Sequence, residues 1–301
     1  MYKVNSQDVI FNFKPNMEAV LKVPSASLVH FDSNDCFFQQ VTSNDDVLSE
    51  VDQNRLNPAT GPVYVEGAEP GDLLQVDILA IDVAESGCAA VVPGHGALKD
   101  EAEEAIVRVI PIRNGAAHYL GLKLPIQPMI GVIGVAPKAE DGEWPTATPW
   151  KHGGNMDTRD IRKGTTLYLP VAQPGALFAL GDVHALMADG EVCFTGLEIP
   201  ADVLVRLTVL KGVKSEWPIL ETETETMVIA SGEDLEEATA SASSAMVGAM
   251  ARALDVQWEE AYILASLVMD TRISQVVDPT MTVRAVLKKD VITTERILAN
   301  L

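Results

Sequence analysis

Short apolar segments separated by glycine and proline turns dominate the first two-thirds of this 301-residue chain, which contains 21 glycines and 17 prolines. Segments 73–84, 129–136 and 203–212 are rich in valine, isoleucine and leucine, and turn residues at 70–72 precede the first of them. Short strands with frequent turns are typical of sandwiches and barrels. We therefore predict a mainly β fold with a β-sandwich or barrel core.

The pattern changes near the C-terminal third. Apolar residues recur there at helical spacing behind Ser231, which, with an acid three residues later, predicts a helix N-cap. A second helix is predicted to begin near Asp255 and to bury Trp258. We expect a β-rich core over residues 1–215 that carries the active site, and a smaller α+β part over residues 216–301 packed on that core.

The charge of the chain limits its partners. The formal net charge is −21, and such a surface repels nucleic-acid phosphates and anionic lipid but does not hinder a small neutral molecule. No apolar run approaches the about 18 residues that span a bilayer. We therefore expect a small-molecule substrate, with neither nucleic acid nor membrane as a partner.

The N-terminus and the cysteines indicate a cytoplasmic protein. No basic region followed by an apolar region opens the chain, so no signal peptide is predicted. Cys36, Cys88 and Cys193 are an odd number without paired spacing, which favours reduced thiols. A homodimer is expected because dimers are the commonest assembly.

Acidic residues, histidines and glycines concentrate between Lys151 and Glu198. Asp182 and His184 lie two residues apart on a predicted strand, so their side chains point to the same face. Imidazole and carboxylate together are typical ligands of zinc or a similar divalent ion. The sequence Asp189-Gly190-Glu191 repeats the two-residue spacing and offers further acids, which can serve as general bases.

Two glycine-flanked histidines extend this set of candidates. His152 opens the sequence His-Gly-Gly-Asn-Met-Asp, in which Asn155 can both donate to and accept from an amide, and Asp157 can bind metal. His95 stands between two glycines and is either a ligand or a loop residue. Cys193 is either a nucleophile or a small buried hydrophobe.

Several long motifs resemble the acetamidase/formamidase family. They are NPATGPVYVEGAEPGDLL (57–74), HGGNMDT (152–158), LYLPV (167–171), GALFALGDVHALMADGEV (175–192) and VVDPTMTVR (276–284). The resemblance implies hydrolysis of short amides to a carboxylate and ammonia, a mostly β fold with a smaller α/β part, and an associated divalent metal, zinc or calcium.

Together these observations predict a metal-dependent hydrolase of linear amides such as formamide or acetamide. The expected metal, zinc before calcium, has the candidate ligands Asp157, Asp182, His184, His95 and His152. The expected catalytic residues are Glu191 as general base, Asn155 as an oxyanion donor, and Asp189. Gly153 and Gly154 are expected to bind substrate through a backbone N–H.

Two alternatives stay open at this point. In the first, Cys193 attacks the amide with help from Glu191 and no metal takes part. In the second, the chain is a non-catalytic β protein whose acids bind structural calcium and whose pocket binds a small ligand. The motifs of phosphate-binding loops, serine nucleophile elbows and helical H-E-x-x-H zinc sites do not occur in the sequence.

Overall fold

A computed structural model describes residues 1–300 as a mainly β protein, which confirms the predicted fold class. Its strands are β1 (Tyr2–Val4), β2 (Val9–Ile10), β3 (Asn12–Phe13), β4 (Leu21–Val23), β5 (Ser27–Ser33), β6 (Ala59–Val65), β7 (Leu73–Val83), β8 (Ser86–Val91), β9 (Ile106–Arg113), β10 (Ala116–Tyr119), β11 (Leu122–Pro125), β12 (Met129–Gly134), β13 (Trp144–Pro145), β14 (Gly153–Asn155), β15 (Thr166–Pro170), β16 (Phe178–His184), β17 (Ala201–Leu210), β18 (Ile219–Glu221), β19 (Glu225–Gly232), β20 (Met269–Gln275) and β21 (Met281–Lys288). Its helices are α1 (Leu235–Leu254), α2 (Trp258–Val268) and α3 (Thr294–Leu298), with 3-10 turns at Leu48–Glu50, Gln53–Arg55 and Ala139–Asp141.

The largest sheet has nine strands in the order β1-β5-β17-β7-β15-β18-β19-β21-β20. Strand β17 shows why these segments form one buried face: Val203 and Val205 are buried, whereas Asp202 and Arg206 on the opposite face are exposed. Alternation with a period of two is the pattern of a strand that covers a core on one side. The nine-stranded sheet therefore presents one apolar face to the rest of the molecule.

A second sheet covers that face. It has the order β14-β12-β16-β6-β2, with β4 paired to β6, and every residue of β12 and β16 is buried. Phe31 from the large sheet packs edge-to-face against Phe178 from the second sheet, with ring centroids 5.6 Å apart. The main core therefore lies between two sheets, as in a sandwich. A smaller sheet, β11-β10-β9-β8, and the pair β13-β3 complete the β structure.

The C-terminal part continues the large sheet. The predicted boundary at residue 215 falls between β17 and β18, and β18 pairs with β15 of the N-terminal part. Helix α1 buries Ala242, Met246 and Met250 in a cluster with Val228 and Ala285 of the sheet. None of the helices in residues 1–300 combines the length and the apolarity that crossing a membrane requires.

Two local predictions in this part are wrong. Ser231 lies at the end of β19 and shares a hydrogen bond of 2.9 Å with Thr282, while the carboxylate of Asp234 caps α1 by accepting from the N–H of Glu237. Strand β19 continues through Ser231 to Gly232, so the cap of α1 lies three residues after the predicted one. Trp258 is 45% exposed because α2 packs on its neighbours through small residues such as Ala261, which is fully buried.

Candidate active site

The C-terminal end of strand β16 contributes Asp182 and His184 to the site. Asp182 and His184 project to one face, as their spacing predicts, and the Asp182 Oδ1 lies 3.4 Å from the His184 Nε2. Asp157 follows β14, and its Oδ1 lies 3.7 Å from the same nitrogen. Strand β12 pairs with both β14 and β16, so these two segments reach the same edge of the second sheet.

The segment after β16 brings two glutamates to the same histidine. The Glu198 Oε2 lies 3.2 Å from the His184 Nε2, and the Glu191 Oε1 lies 4.0 Å from it. Glu198 is fixed locally, since its Oε1 accepts from the backbone N–H of Gly196 at 3.0 Å. We name Asp157, Asp182, His184, Glu191 and Glu198 the His184 cluster; all five residues are buried.

Two glycines make room for the His184 cluster. A Cβ at Gly131 of β12 would lie 2.4 Å from the Asp157 Oδ1 and 2.6 Å from the Asp182 Oδ2. A Cβ at Gly196 would lie 2.4 Å from the His184 Nδ1. Distances under 3.0 Å force a shift, so any side chain at these two positions would push the cluster apart. Sequence reasoning identified neither glycine.

The backbone of the cluster is strained. Asp157, Asp182 and Glu191 have φ angles of 38°, 52° and 47°. A residue with a Cβ in this left-handed region costs on the order of 1–2 kcal/mol. Such conformations are retained where the surrounding structure imposes them, and they concentrate at functional sites. Here they aim three carboxylates at one point.

The cluster is electrostatically unsatisfied. Both oxygens of Asp157, both ring nitrogens of His184 and one oxygen each of Asp182 and Glu198 are buried without a hydrogen-bond partner. Burial, with the neighbouring charge of Asp182, raises the pKa of Asp157 to about 7. Burial and the charge of Asp182 also raise the pKa of Glu198 to about 8, against the opposing effect of His184.

The pKa values of Glu191 and His184 are both raised. Burial, followed by the charge of Asp157, raises the pKa of Glu191 well above its ordinary value. Burial alone would lower the pKa of His184, but the charges of Glu198 and Asp182 raise it well above its ordinary value. Without a cation, the cluster therefore retains protons near neutral pH.

A cavity of about 420 Å³ opens onto these carboxylates. Its walls combine polar groups with apolar side chains from distant parts of the chain: Cys36, Phe37, Leu56, Asn57, His95, Ala147, Asn155, Asp182, Glu191, Phe194, Thr195, Glu198, Val277, Asp278 and Pro279. A concave site that is largely apolar with a few convergent polar groups is the usual form of a small-molecule site.

Asn155 and Asp278 form a polar pair in the wall of this cavity. The Asn155 Nδ2 donates to the Asp278 Oδ2 at 3.1 Å, and the Asn155 Oδ1 has no partner. Burial and the charge of Asp157 raise the pKa of Asp278 well above its ordinary value. Sequence reasoning proposed Asn155 but missed Asp278, which lies 123 residues further along the chain.

Some residues proposed from the sequence lie apart from the cluster. The ring of His152 packs against Phe13 and Trp144, with centroids 5.0 and 6.0 Å away, and burial lowers its pKa to about 3. His95 is exposed on the loop after β8, where its ring lies 4.6 Å from that of Phe194 in the cavity wall.

Asp189, Gly153 and Gly154 make structural contacts in place of their predicted roles in catalysis and substrate binding. Asp189 is exposed and forms an ion pair of 2.5 Å with Arg284. The N–H of Gly153 donates to the Trp150 carbonyl at 3.0 Å and is therefore not free to bind a substrate oxygen. Gly154 has a φ angle of 89° and packs closely beneath the Thr148 carbonyl, 2.6 Å from where its Cβ would stand.

The sequence left Cys193 open as a nucleophile or a small buried hydrophobe, and the structure contradicts burial. Cys193 is exposed, and its Sγ lies 3.5 Å from the Thr195 carbonyl oxygen. Cys36 instead lines the cavity, and its Sγ lies within 4.8 Å of ligand atoms of Asp182 and Glu198. No local spacing links residue 36 to residues 182 and 198, so this group was not predictable from the sequence.

The donor set fits a divalent cation. Ligand atoms of Asp157, His184 and Glu191 lie within 4.8 Å of one another, adjacent to the group that contains Asp182 and Glu198. Ligands of a tetrahedral zinc ion at about 2.0–2.2 Å are themselves about 3.4 Å apart. The distances of 3.2, 3.4 and 3.7 Å from the His184 Nε2 to three carboxylates agree with that separation.

Comparisons with known proteins agree with this fold and show the family. The model of the acetamidase/formamidase family matches residues 2–143 and 139–293. A crystal structure of a recombinant predicted acetamidase/formamidase from Thermoanaerobacter tengcongensis is 41% identical, with a TM-score of 0.95 over 98% of both chains. An acetamidase structure from Bacillus halodurans is 40% identical, with a TM-score of 0.92 over 96% of this chain and 98% of that one.

A curated relative, the formamidase of Methylophilus methylotrophus, is more distant. It is 27% identical over 239 residues, which are 58% of this chain and 58% of that enzyme. The chain thus matches little more than half the length of this curated relative. The family model, however, spans nearly the whole chain, and the structural matches span it as well. This chain belongs to the acetamidase/formamidase family.

Proposed function

We propose that this protein hydrolyses the carbon–nitrogen bond of short linear amides, such as formamide or acetamide, at the His184 cluster. The observation that carries the proposal is the set of buried, unpartnered carboxylate and imidazole atoms beside a cavity of about 420 Å³. Family membership supports amide hydrolysis, because relatives bear the names formamidase and acetamidase.

A divalent cation, zinc before calcium, fits the proposal. Asp157, Asp182 and His184 would hold it, and Glu198 joins this set because its free oxygen lies 3.2 Å from the His184 Nε2. Such an ion polarises the amide carbonyl and lowers the pKa of bound water toward about 7. Its positive charge would also replace the protons that the cluster otherwise retains.

Glu191 is the proposed general base. Its carboxylate lines the cavity, 4.0 Å from the His184 Nε2, where it can accept and return a proton. Glu191 takes a proton from the attacking water as the oxygen adds to the carbonyl carbon. It then returns that proton to the nitrogen as the carbon–nitrogen bond breaks, which gives a carboxylic acid and ammonia; in neutral solution the proton of the acid passes to ammonia, so that the products are carboxylate and ammonium.

Asn155 is the proposed group that orients the amide. One Nδ2 hydrogen is committed to Asp278, which leaves the second hydrogen and the unpartnered Oδ1 for ligand. The second hydrogen can donate to the developing oxyanion, and Oδ1 can accept from the amide N–H. Asp278 holds the side chain in this orientation.

Ammonia release tests the proposal. Purified protein, protein stripped with a chelator, and stripped protein resupplied with zinc or calcium are assayed with formamide and acetamide. We expect activity to disappear on stripping and to return with one of the two ions. Activity that survives complete removal of metal would contradict a metal-dependent mechanism, and absence of turnover in every state would contradict amide hydrolysis.

The assembly and location are also proposals. The homodimer is testable by light scattering of the purified protein, and the cytoplasmic location by fractionation. The net charge of −21 supports a protein that does not bind nucleic acid.

A further inference from the structure

Arg284 is the largest fully buried side chain of the molecule in the described residues 1–300. It lies on β21, in the C-terminal part, and is outside the cavity wall. An arginine is almost never fully buried unless its charge is paired. The partners of Arg284 therefore indicate what this charge is for.

The guanidinium of Arg284 joins two separate segments of the site. One nitrogen pairs with Asp160, three residues after the cluster member Asp157. The other pairs with the Asp189 Oδ1 at 2.5 Å, two residues before the cluster member Glu191. That second nitrogen also donates to the Ile273 carbonyl on β20 at 2.9 Å.

Backbone and hydroxyl contacts nearby also link the C-terminal strands to these two segments. The N–H of Gly190 donates to the Ser274 carbonyl at 2.8 Å, and the N–H of Val276 donates to the Gly190 carbonyl at 3.2 Å. The hydroxyl groups of Ser274 and Thr158 lie 2.8 Å apart. Strands β20 and β21 thus hold both the segment after Asp157 and the segment before Glu191.

These two segments need external support. Asp157 and Glu191 both have left-handed backbone conformations, which other parts of the structure must maintain. Their carboxylates are buried 3.7 and 4.0 Å from the His184 Nε2, so movement of either segment would change the geometry of the cluster. A charge fixed between Asp160 and Asp189 opposes that movement without entering the cavity.

We propose that Arg284 is a positioning residue that holds Asp157 and Glu191 in fixed positions relative to each other for metal binding and catalysis. The catalytic half of this inference rests on the proposed amide hydrolysis; the structural half does not. The fork of an arginine can engage two carboxylates at once, whereas lysine is a single point charge. Arg284→Met should therefore release both segments, and Arg284→Lys should restore part of the constraint.

Arg272 is a matched control. It lies directly opposite Arg284 in the pairing of β20 with β21 and also engages two acids, Glu225 and Asp270. Neither of these acids adjoins the His184 cluster in the chain. Arg272→Met thus removes a double ion pair, at a partly exposed arginine, from the same two strands without touching the proposed connection.

The experiment combines three measurements on the full-length variants. Hydrogen exchange followed by mass spectrometry reports on segments 156–161 and 189–192, calorimetric titration of stripped protein gives the zinc affinity, and steady-state kinetics with acetamide separates kcat from KM. For Arg284→Met we expect faster exchange in both segments, zinc affinity weaker by about 10–100-fold, and a loss of kcat of similar size. Arg284→Lys should lie between wild type and Arg284→Met, and Arg272→Met should change none of the three.

Exchange in the two segments that is unchanged in Arg284→Met, or equally changed in Arg272→Met, would overturn the proposal. A loss of thermal stability with unchanged zinc affinity and kcat would also overturn it, because that result describes a purely structural arginine. If Arg284→Met does not fold, Asp189→Asn decides: faster exchange in 189–192 supports the proposal, and unchanged exchange contradicts it. If wild type hydrolyses no amide, the proposed function fails. Hydrogen exchange and zinc affinity then still test whether Arg284 positions the two segments.

Discussion

His184 and His152 are both buried histidines in the stretch between Lys151 and Glu198, yet their surroundings give them opposite chemistry. Four carboxylates lie within 4.0 Å of the His184 Nε2, and acidic neighbours raise its pKa. His152 packs between aromatic rings, and burial lowers its pKa to about 3. Burial alone therefore does not make a site; the charge placed around the buried group decides what it can bind.

Replacement of the two histidines tests this comparison with the largest expected effect. His184→Ala should lose stoichiometric zinc and at least about 100-fold in kcat/KM, because it removes the central donor of the cluster. His152→Phe should retain zinc and turnover, since the ring already packs as an aromatic group. The measurements are metal analysis and ammonia release. Loss of zinc from His152→Phe to the same extent would show that His152 also supports metal binding, and would contradict its role as a packing residue.

Glu191→Gln separates catalysis from metal binding within the cluster. We expect kcat to fall by about 10²–10⁴-fold, because the amide cannot accept a proton from water. Zinc content should stay near that of wild type, since Asp157, Asp182 and His184 remain. Steady-state kinetics and metal analysis on the same preparation check both points. Wild-type kcat in Glu191→Gln would show that another group is the base.

Gly131→Ala tests whether the His184 cluster needs the space that a glycine leaves. The added Cβ would meet Asp157 and Asp182 at distances that force a shift. We expect a loss of about 1–3 kcal/mol in the free energy of unfolding, together with weaker zinc binding. Gly248→Ala in α1 is the control: its Cβ meets only the flexible end of Arg252 at 3.3 Å, and alanine favours helix by about 1 kcal/mol. Urea denaturation compares them, and equal stability of the two variants would contradict the crowding argument.

The pH dependence of stability is the smallest expected effect. In stripped protein, Asp157 with a pKa of about 7 and Glu198 with a pKa of about 8 keep protons that unfolded carboxyls lose near pH 4. The native state then binds more protons between about pH 4 and 8, so the free energy of unfolding falls as pH rises through this window. His184 acts in the same sense, because its contribution is complete below its unfolded pKa of about 6.5 and is lost at higher pH.

Calorimetry of stripped protein tests whether stability falls as pH rises. The Tm should be lower at pH 8 than at pH 5.5, and zinc should raise the Tm more at pH 8, where protons compete less for the carboxylates. Glu198→Gln removes one of the titrating groups and should flatten the dependence. A Tm of the stripped protein that increases toward pH 8, with no change of slope in Glu198→Gln, would contradict the assignment.

The parts of the site that sequence predicts are those with local geometry. Asp182 and His184 share a strand face because side chains alternate with a period of two, so their spacing was sufficient to pair them. The mainly β fold followed from short apolar runs between turns. The position of Ser231 was misread because nothing local marks where β19 ends.

The rest depends on contacts between distant residues. Cys36 and Asp278 reach the cavity from opposite ends of the chain, and Gly131 matters only because strands on both sides of β12 bring acids to it. The paired glycines after His152 do not reveal whether its ring turns toward acids or toward aromatic rings. The two-residue spacing pairs His184 with Asp182, but the other three carboxylates around His184 and the aromatic contacts of His152 follow only from the three-dimensional packing.

The most direct measurement is a crystal structure of zinc-loaded protein with anomalous diffraction data collected on both sides of the zinc absorption edge. We expect a strong peak among Asp157, Asp182, His184 and Glu198, within bonding distance of the His184 Nε2. A zinc peak only at His95 or His152, or no peak at the His184 cluster under saturating zinc, would contradict a metal site at the His184 cluster.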